Sequence, residues 1–169
     1  MRRPSTRAAL TAGATAALGL TVAFGPLVQA APPGSATGHG FYDAGNGQKR
    51  QFSFNAIDTA GDGTATGNAE VHNPAFAFDA HIKVSCLLVD GNRASVGGTV
   101  TKSNDPGLPP GTFAFWTVYD NGEPGAGHDT ISAVFFDFEA APPTCQLIGP
   151  NDFDQTTIQG GNIQVRQGG

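Results

Sequence analysis

From Phe76 to Leu88 the chain alternates apolar and polar residues. Phe76, Phe78, Ala80, Ile82, Val84, Cys86 and Leu88 are set against Asp79, His81, Lys83 and Ser85. Only an extended strand sorts such a series onto two faces, one for the core and one for water; a helix would scatter it around the axis. The same period recurs along the chain. Phe52 and Phe54 alternate with Gln51, Ser53 and Asn55, and Ala65, Gly67, Ala69 and Val71 with Thr64, Thr66, Asn68 and Glu70. Val96, Gly98 and Val100 follow, then Ile163 and Val165 near the C-terminus. No stretch carries helix-length periodicity.

Two segments are apolar on both faces. Thr112 to Tyr119 has Phe113, Phe115 and Tyr119 on one side and Ala114, Trp116 and Val118 on the other. Ile131 to Phe138 sets Ile131, Ala133 and Phe135 against Val134, Phe136 and Phe138. Such strands are covered by a second layer, or their outer face meets a ligand or partner. Asp62-Gly63, Asp90-Gly91, Asn121-Gly122 and Gly160-Gly161 supply turns that accept positive φ. Asp105-Pro-Gly and Leu108-Pro-Pro-Gly mark a longer, stiffer loop. The expected fold is therefore all-β: an antiparallel meander of about seven to eight strands, as a barrel or a sandwich.

The N-terminal segment reads as an address rather than as structure. Arg2, Arg3 and Arg7 precede an uncharged run from Ala8 to Val28, and Val28-Gln29-Ala30 suits a signal peptidase, so 1–30 is expected to be a signal peptide cleaved after Ala30. Gly13, Gly19, Gly25 and Pro26 make the run a poor permanent membrane span, so no transmembrane segment is expected in the mature chain. Arg2-Arg3 hints at twin-arginine export, but Pro4-Ser5-Thr6 lacks the usual hydrophobic follow-up, which favours the general secretory route. Residues 31–40, rich in Pro, Gly, Ser and Ala, are expected to be a flexible leader, and 41–169 a single β domain. Loss of the three arginines takes the net charge from −5 to −8. An acidic surface repels a phosphate backbone, which argues against nucleic acid; the partner is unidentified and a monomer is expected. Cys86 and Cys145 are the only cysteines, and in an oxidising compartment they are expected to pair as a disulfide.

The order of several segments is specific as a set: KRQFSFNA from Lys49, Val84-Ser85-Cys86-Leu87, NRASVGGTVTKSN from Asn92 to Asn104, GTFAFWTVYDNGEPG from Gly111, DTIS from Asp129, and GGNIQVR ending at Arg166. Over about Lys49 to Arg166 this order resembles a family of small secreted bacterial all-β proteins. The resemblance implies a secreted single β domain with paired cysteines. It carries over no activity and no catalytic residue.

Candidate sites are few. Asp120, Asn121, Glu123 and Asp129 surround a Pro/Gly-rich loop and could offer several of the about six to eight oxygens that Ca²⁺ takes. The same residues also make an ordinary hairpin loop. Asp58 to Gly63 resembles the start of a helix-loop-helix calcium loop, but Ala60 occupies a ligand position, and it reads as a turn. Asn151-Asp152-Phe153-Asp154 is a third acidic loop. His72, His81 and His128 show no zinc spacing and no serine lies in a nucleophile elbow, so no catalytic residue is assigned. Trp116, Tyr119, Phe136 and Phe138 are the candidate ligand surface. The function expected is non-enzymatic binding by a secreted β domain. A hydrolase or isomerase with its site in a β-barrel and a structural envelope protein are the alternatives.

Overall fold

The computed structural model describes residues 33–45, 47–137, 145 and 153–168. The expected signal peptide, Phe138, Asn151 and Asp152 lie outside the described residues.

The chain folds as one curled antiparallel sheet, a half-barrel, and so takes the barrel-like of the two expected architectures. The strands are β1 (Gly34–Asp43), β2 (Lys49–Asp58), β3 (Thr64–Asn73), β4 (Phe78–Asp90), β5 (Arg93–Ser103), β6 (Phe113–Tyr119), β7 (Thr130–Ser132), β8 (Phe135–Asp137), β9 (Gln155–Thr157) and β10 (Gly160–Gln167). β1 to β7 form a meander, β9 extends it beyond β7, and β10 returns to pair with the free side of β1. No helix among the described residues is long and apolar enough to cross a membrane.

The ten strands among the described residues exceed the expected seven or eight for identifiable reasons. The stretch read as a flexible leader supplies β1, which is paired on both sides. Its small residues reflect close packing: a Cβ at Gly38 would collide with the Phe54 ring from β2. The single strand expected from Ile131 to Phe138 is broken into β7 and β8, both of which pair with β6. At the break the Ser132 hydroxyl accepts the Thr117 N–H at 2.9 Å, standing in for a ladder carbonyl. Gly160-Gly161, expected as a turn, lies inside β10 opposite Phe41 and Gly40. Gly161 has φ 98°, and a side chain there would run into the His39 carbonyl, so the pair brings two backbones together.

The inward faces carry the core that the alternation indicates. Phe52 and Phe54 of β2, Ala69 and Val71 of β3, and Ile82 and Val84 of β4 are all buried. An aromatic column fills the interior: Tyr42 to Phe52 at 6.2 Å, Phe52 to Phe54 at 6.1 Å, and Phe54 edge-on to Trp116 at 5.8 Å. Burial of each large apolar ring contributes about 2–3 kcal/mol.

A bulge in β4 changes the outcome at the cysteines. Val84 pairs with Gly98 but Cys86 pairs with Gly97, so one residue is added to β4 between them. The extra residue turns Cys86 to the outer face and brings Leu87, rather than Leu88, inward. Cys86, Gly97, Phe115 and Phe135 then form one row across four strands. Cys145 bonds to Cys86 above this row, with Cα atoms 5.5 Å apart. A Cβ on Gly97 would sit 2.7 Å from the Cys86 sulfur and 2.8 Å from the Phe113 ring, so glycine leaves the room the bridge occupies. Phe115, Phe135 and Phe153 stack beside it, with Phe135 and Phe153 centroids 4.5 Å apart. The aromatics on the outer face of β6 therefore have a second layer.

Candidate functional site

The loop carrying the proposed calcium ligands connects β6 to β7 and lies against the unpaired edge of β10. In a β-strand, N–H groups alternate between its two neighbours, and those of Ile163 and Val165 face away from β1. Asp129 Oδ2 accepts the Ile163 N–H at 2.8 Å, and Asp120 Oδ2 accepts the Val165 N–H at 3.0 Å. The two carboxylates thus take the place of a missing neighbour strand and bridge the open side of the half-barrel. Asp129 Oδ1 also accepts the Asn121 N–H, Asp120 Oδ1 accepts the Gly122 N–H, and Glu123 Oε1 accepts the Asn162 side-chain amide at 2.8 Å. Asn121 donates to the His128 carbonyl. Gly125 makes this approach possible, because a side chain there would overlap Asp129 Oδ2.

The structure therefore gathers Asp120, Asn121, Glu123 and Asp129, and each is already engaged in closing the fold. Among the described residues no group of three His, Cys, Asp or Glu side chains is placed to hold a metal ion. Asp58 likewise anchors a turn, its carboxylate accepting the N–H groups of Ala60, Gly61 and Gly63.

The expected aromatic ligand surface is not one surface. Trp116 is only 2% exposed and belongs to the interior column, which removes it as a ligand contact. Tyr119 sits at the far end of β6 with the Arg93 guanidinium 6.0 Å from its ring centre. Phe136 lines a cavity, packed edge-on to Phe78 at 6.2 Å.

That cavity, of about 610 Å³, opens at the end of the half-barrel where β2 begins and β3 ends. Val71, Phe78, Val134 and Phe136 make its walls, and Arg50, Asn73, Asn104 and Asp105 are its polar members among the described residues. Phe76 forms its lip and is 66% exposed, in contrast to the inward position that strict alternation assigns to it. A short 3-10 turn, Pro74–Phe76, lifts it out of register. Asn73 caps the turn, and Ala77 closes it in the left-handed region at φ 48°, a conformation uncommon outside glycine. Asn104 holds this turn from the other side, donating to the Ala77 carbonyl at 2.5 Å and accepting the Asp79 N–H at 2.8 Å. The left-handed Ala77 puts a local backbone cost into the turn that carries this exposed aromatic.

Arg50 lines the mouth and Tyr42 lies buried in the core next to it; the sequence reading passed over both. Arg50 falls in the inward phase of β2, two residues before Phe52, and faces Tyr42 across the β1–β2 ladder. The Tyr42 hydroxyl is buried and makes no hydrogen bond of ordinary geometry, although Arg50 stands near enough to act on it. Burial pushes the phenol pKa up, and the Arg50 charge pulls it back only in part. The folded state thus holds this proton to higher pH than the unfolded chain does, so stability should fall as pH rises above about 10, the ordinary tyrosine value. Tyr42→Phe should lessen that alkaline loss in urea titrations at stepped pH; an unchanged profile would show that Tyr42 does not titrate differently on folding.

A second depression, of about 470 Å³, lies on the convex face. It gathers His39, His72 and His81, three of the four histidines in the chain. His72 Nδ1 meets Asp79 at 2.6 Å and His81 Nδ1 meets Glu70 at 3.2 Å, pairs too exposed to contribute much. His128 stays in the β6–β7 loop. No family model, curated protein or solved structure matches the chain.

Proposed function

We propose that this chain is a secreted bacterial binding domain that captures a small molecule with an apolar body in the mouth of its half-barrel and does not transform it. The observation that carries this reading is Phe76, held exposed on a strained turn at the rim of a cavity walled by Phe78, Val71 and Phe136. Mouths of curled β-sheets are common ligand sites, since the sheet supplies rigid apolar walls and the loops a rim. Export is supported by the charged and apolar N-terminal pattern and by a disulfide that persists in oxidising compartments. Capture is favoured over turnover because the cavity's one carboxylate among the described residues, Asp105, has one oxygen accepting the Gly107 N–H of its own loop, and no nucleophile or second acid-base group lines the cavity beside it.

The neutral apolar fluorophore N-phenylnaphthylamine tests the site. Its emission should rise saturably with the mature domain, and Phe76→Ser should weaken binding severalfold. As an exposed position, Phe76 should change unfolding stability by no more than about 0.5 kcal/mol when substituted. No saturable signal, or an undiminished one in Phe76→Ser, would remove the mouth as the binding site.

A further inference from the structure

An arginine on the inward phase of a strand needs a reason. Long charged side chains are rarely turned toward a core unless a partner compensates them, because desolvating a guanidinium without one is costly. Arg50 is half-buried and lines the mouth cavity. Among the described residues no carboxylate lies within ion-pair distance of it; the ion pairs present join His72 to Asp79, His81 to Glu70 and Arg93 to Asp90. Its inward cross-strand neighbour is Tyr42, whose buried hydroxyl is without a hydrogen bond of ordinary geometry. The guanidinium therefore stands at the edge of an apolar chamber with no carboxylate partner among the described residues. Asp105, the one acid among the described residues that line the chamber, accepts the Gly107 N–H of its own loop at 2.8 Å.

We infer that the mouth is built for a small organic acid, with its carboxylate on the Arg50 guanidinium and its apolar body against Phe76, Phe78 and Phe136. This rests on the mouth being the binding site and adds the chemical class of what it takes. The guanidinium fork matches a carboxylate through two parallel N–H···O bonds. Binding would supply Arg50 with the counter-charge the fold withholds. The net charge of the chain is negative, so a single inward arginine in a partly desolvated mouth gives selectivity that the surface as a whole opposes.

Calorimetric titration of the mature domain with octanoate and with octan-1-ol, which share the same apolar tail, separates the two levels of the argument. Octanoate should bind at least about tenfold more tightly than the alcohol, the ratio expected when a charged hydrogen-bonded pair replaces a neutral one. Arg50→Gln should remove that advantage while leaving the alcohol unaffected, and Arg50→Lys should restore part of it. Circular dichroism of each variant establishes that it is folded. Equal affinity for acid and alcohol, or an advantage that survives in Arg50→Gln, overturns the assignment of an acid while leaving the mouth as an apolar site. Binding of neither overturns both.

Discussion

Asp129→Ala should cost about 3–5 kcal/mol of folding stability in urea unfolding, a large share of what a domain of this size possesses. Asp129 is 0% exposed and its two oxygens accept the Asn121 and Ile163 N–H groups, both at 2.8 Å. Truncation leaves two backbone donors without acceptors, each costing about 1–3 kcal/mol and more where the lost acceptor was charged. It also opens the side of the half-barrel at β10, because Asp129 bridges the loop to that edge. Asp129→Asn keeps one carbonyl oxygen but turns an amide N–H₂ toward a backbone donor, so its loss should fall between those of wild type and Ala. Asp120→Ala gives up a part-buried bond to Val165 and an exposed one to Gly122, and about 1–2 kcal/mol is expected. A loss below about 1 kcal/mol for Asp129→Ala would mean that β10 is held by β1 alone and that the seam is incidental.

This loop shows what the sequence could and could not convey. Carboxylate oxygens accept a backbone N–H or a cation with the same lone pairs, so Asp120, Glu123 and Asp129 read equally well as ligands or as hydrogen-bond acceptors. Which they are depends on what the curled sheet places opposite them, here an unpaired strand edge about forty residues further along the chain. By contrast, the inward sets of β2 and β3 were fully legible, since period two alone fixes which residues share a face. The reading failed where the period slips. One added residue in β4 sends Cys86 outward and Leu87 inward, and the turn at Pro74 lifts Phe76 from the core to the rim. Proline before Phe76 was the available sign of that break. Arg50 was also within reach, as the one cation in the inward phase of β2, where alternation calls for an apolar residue. Residues 34–40 misled for a different reason: glycine and alanine there make room for Phe54 and Ile163, and composition cannot distinguish close packing from flexibility.

Reducing the Cys86–Cys145 bridge, or replacing both cysteines by serine, should lower stability by about 4 kcal/mol. The bridge spans a sequence separation of 59, and releasing a loop of that length returns denatured-state entropy of this size in the chain-entropy model. Its position adds to the effect, because Cys145 covers Gly97 on the outer face next to the Phe115, Phe135 and Phe153 stack. Without the bond, nothing covalent keeps that layer over β5 and β6, and the apolar outer face of β6 meets water. The urea midpoint should therefore drop steeply in reductant. Part of the loss should appear first as increased hydrogen exchange along β6 and β8, before the β1–β3 ladder opens. Gly97→Ala makes an independent check, since the added methyl meets both sulfurs and the Phe113 ring. It should destabilise the oxidised protein by about 1–3 kcal/mol, as overpacking does, and the Cys86→Ser/Cys145→Ser protein by less. If reduction moved the unfolding free energy by under about 1 kcal/mol, the outer layer would be held by its rings alone. A domain with a margin of about 5–15 kcal/mol that owes about 4 of it to one bond is poorly suited to a reducing cytosol. The same measurement therefore bears on where the chain works: a large loss ties its stability to an oxidising space, and a small one removes the strongest physical support for export beyond the N-terminal segment itself.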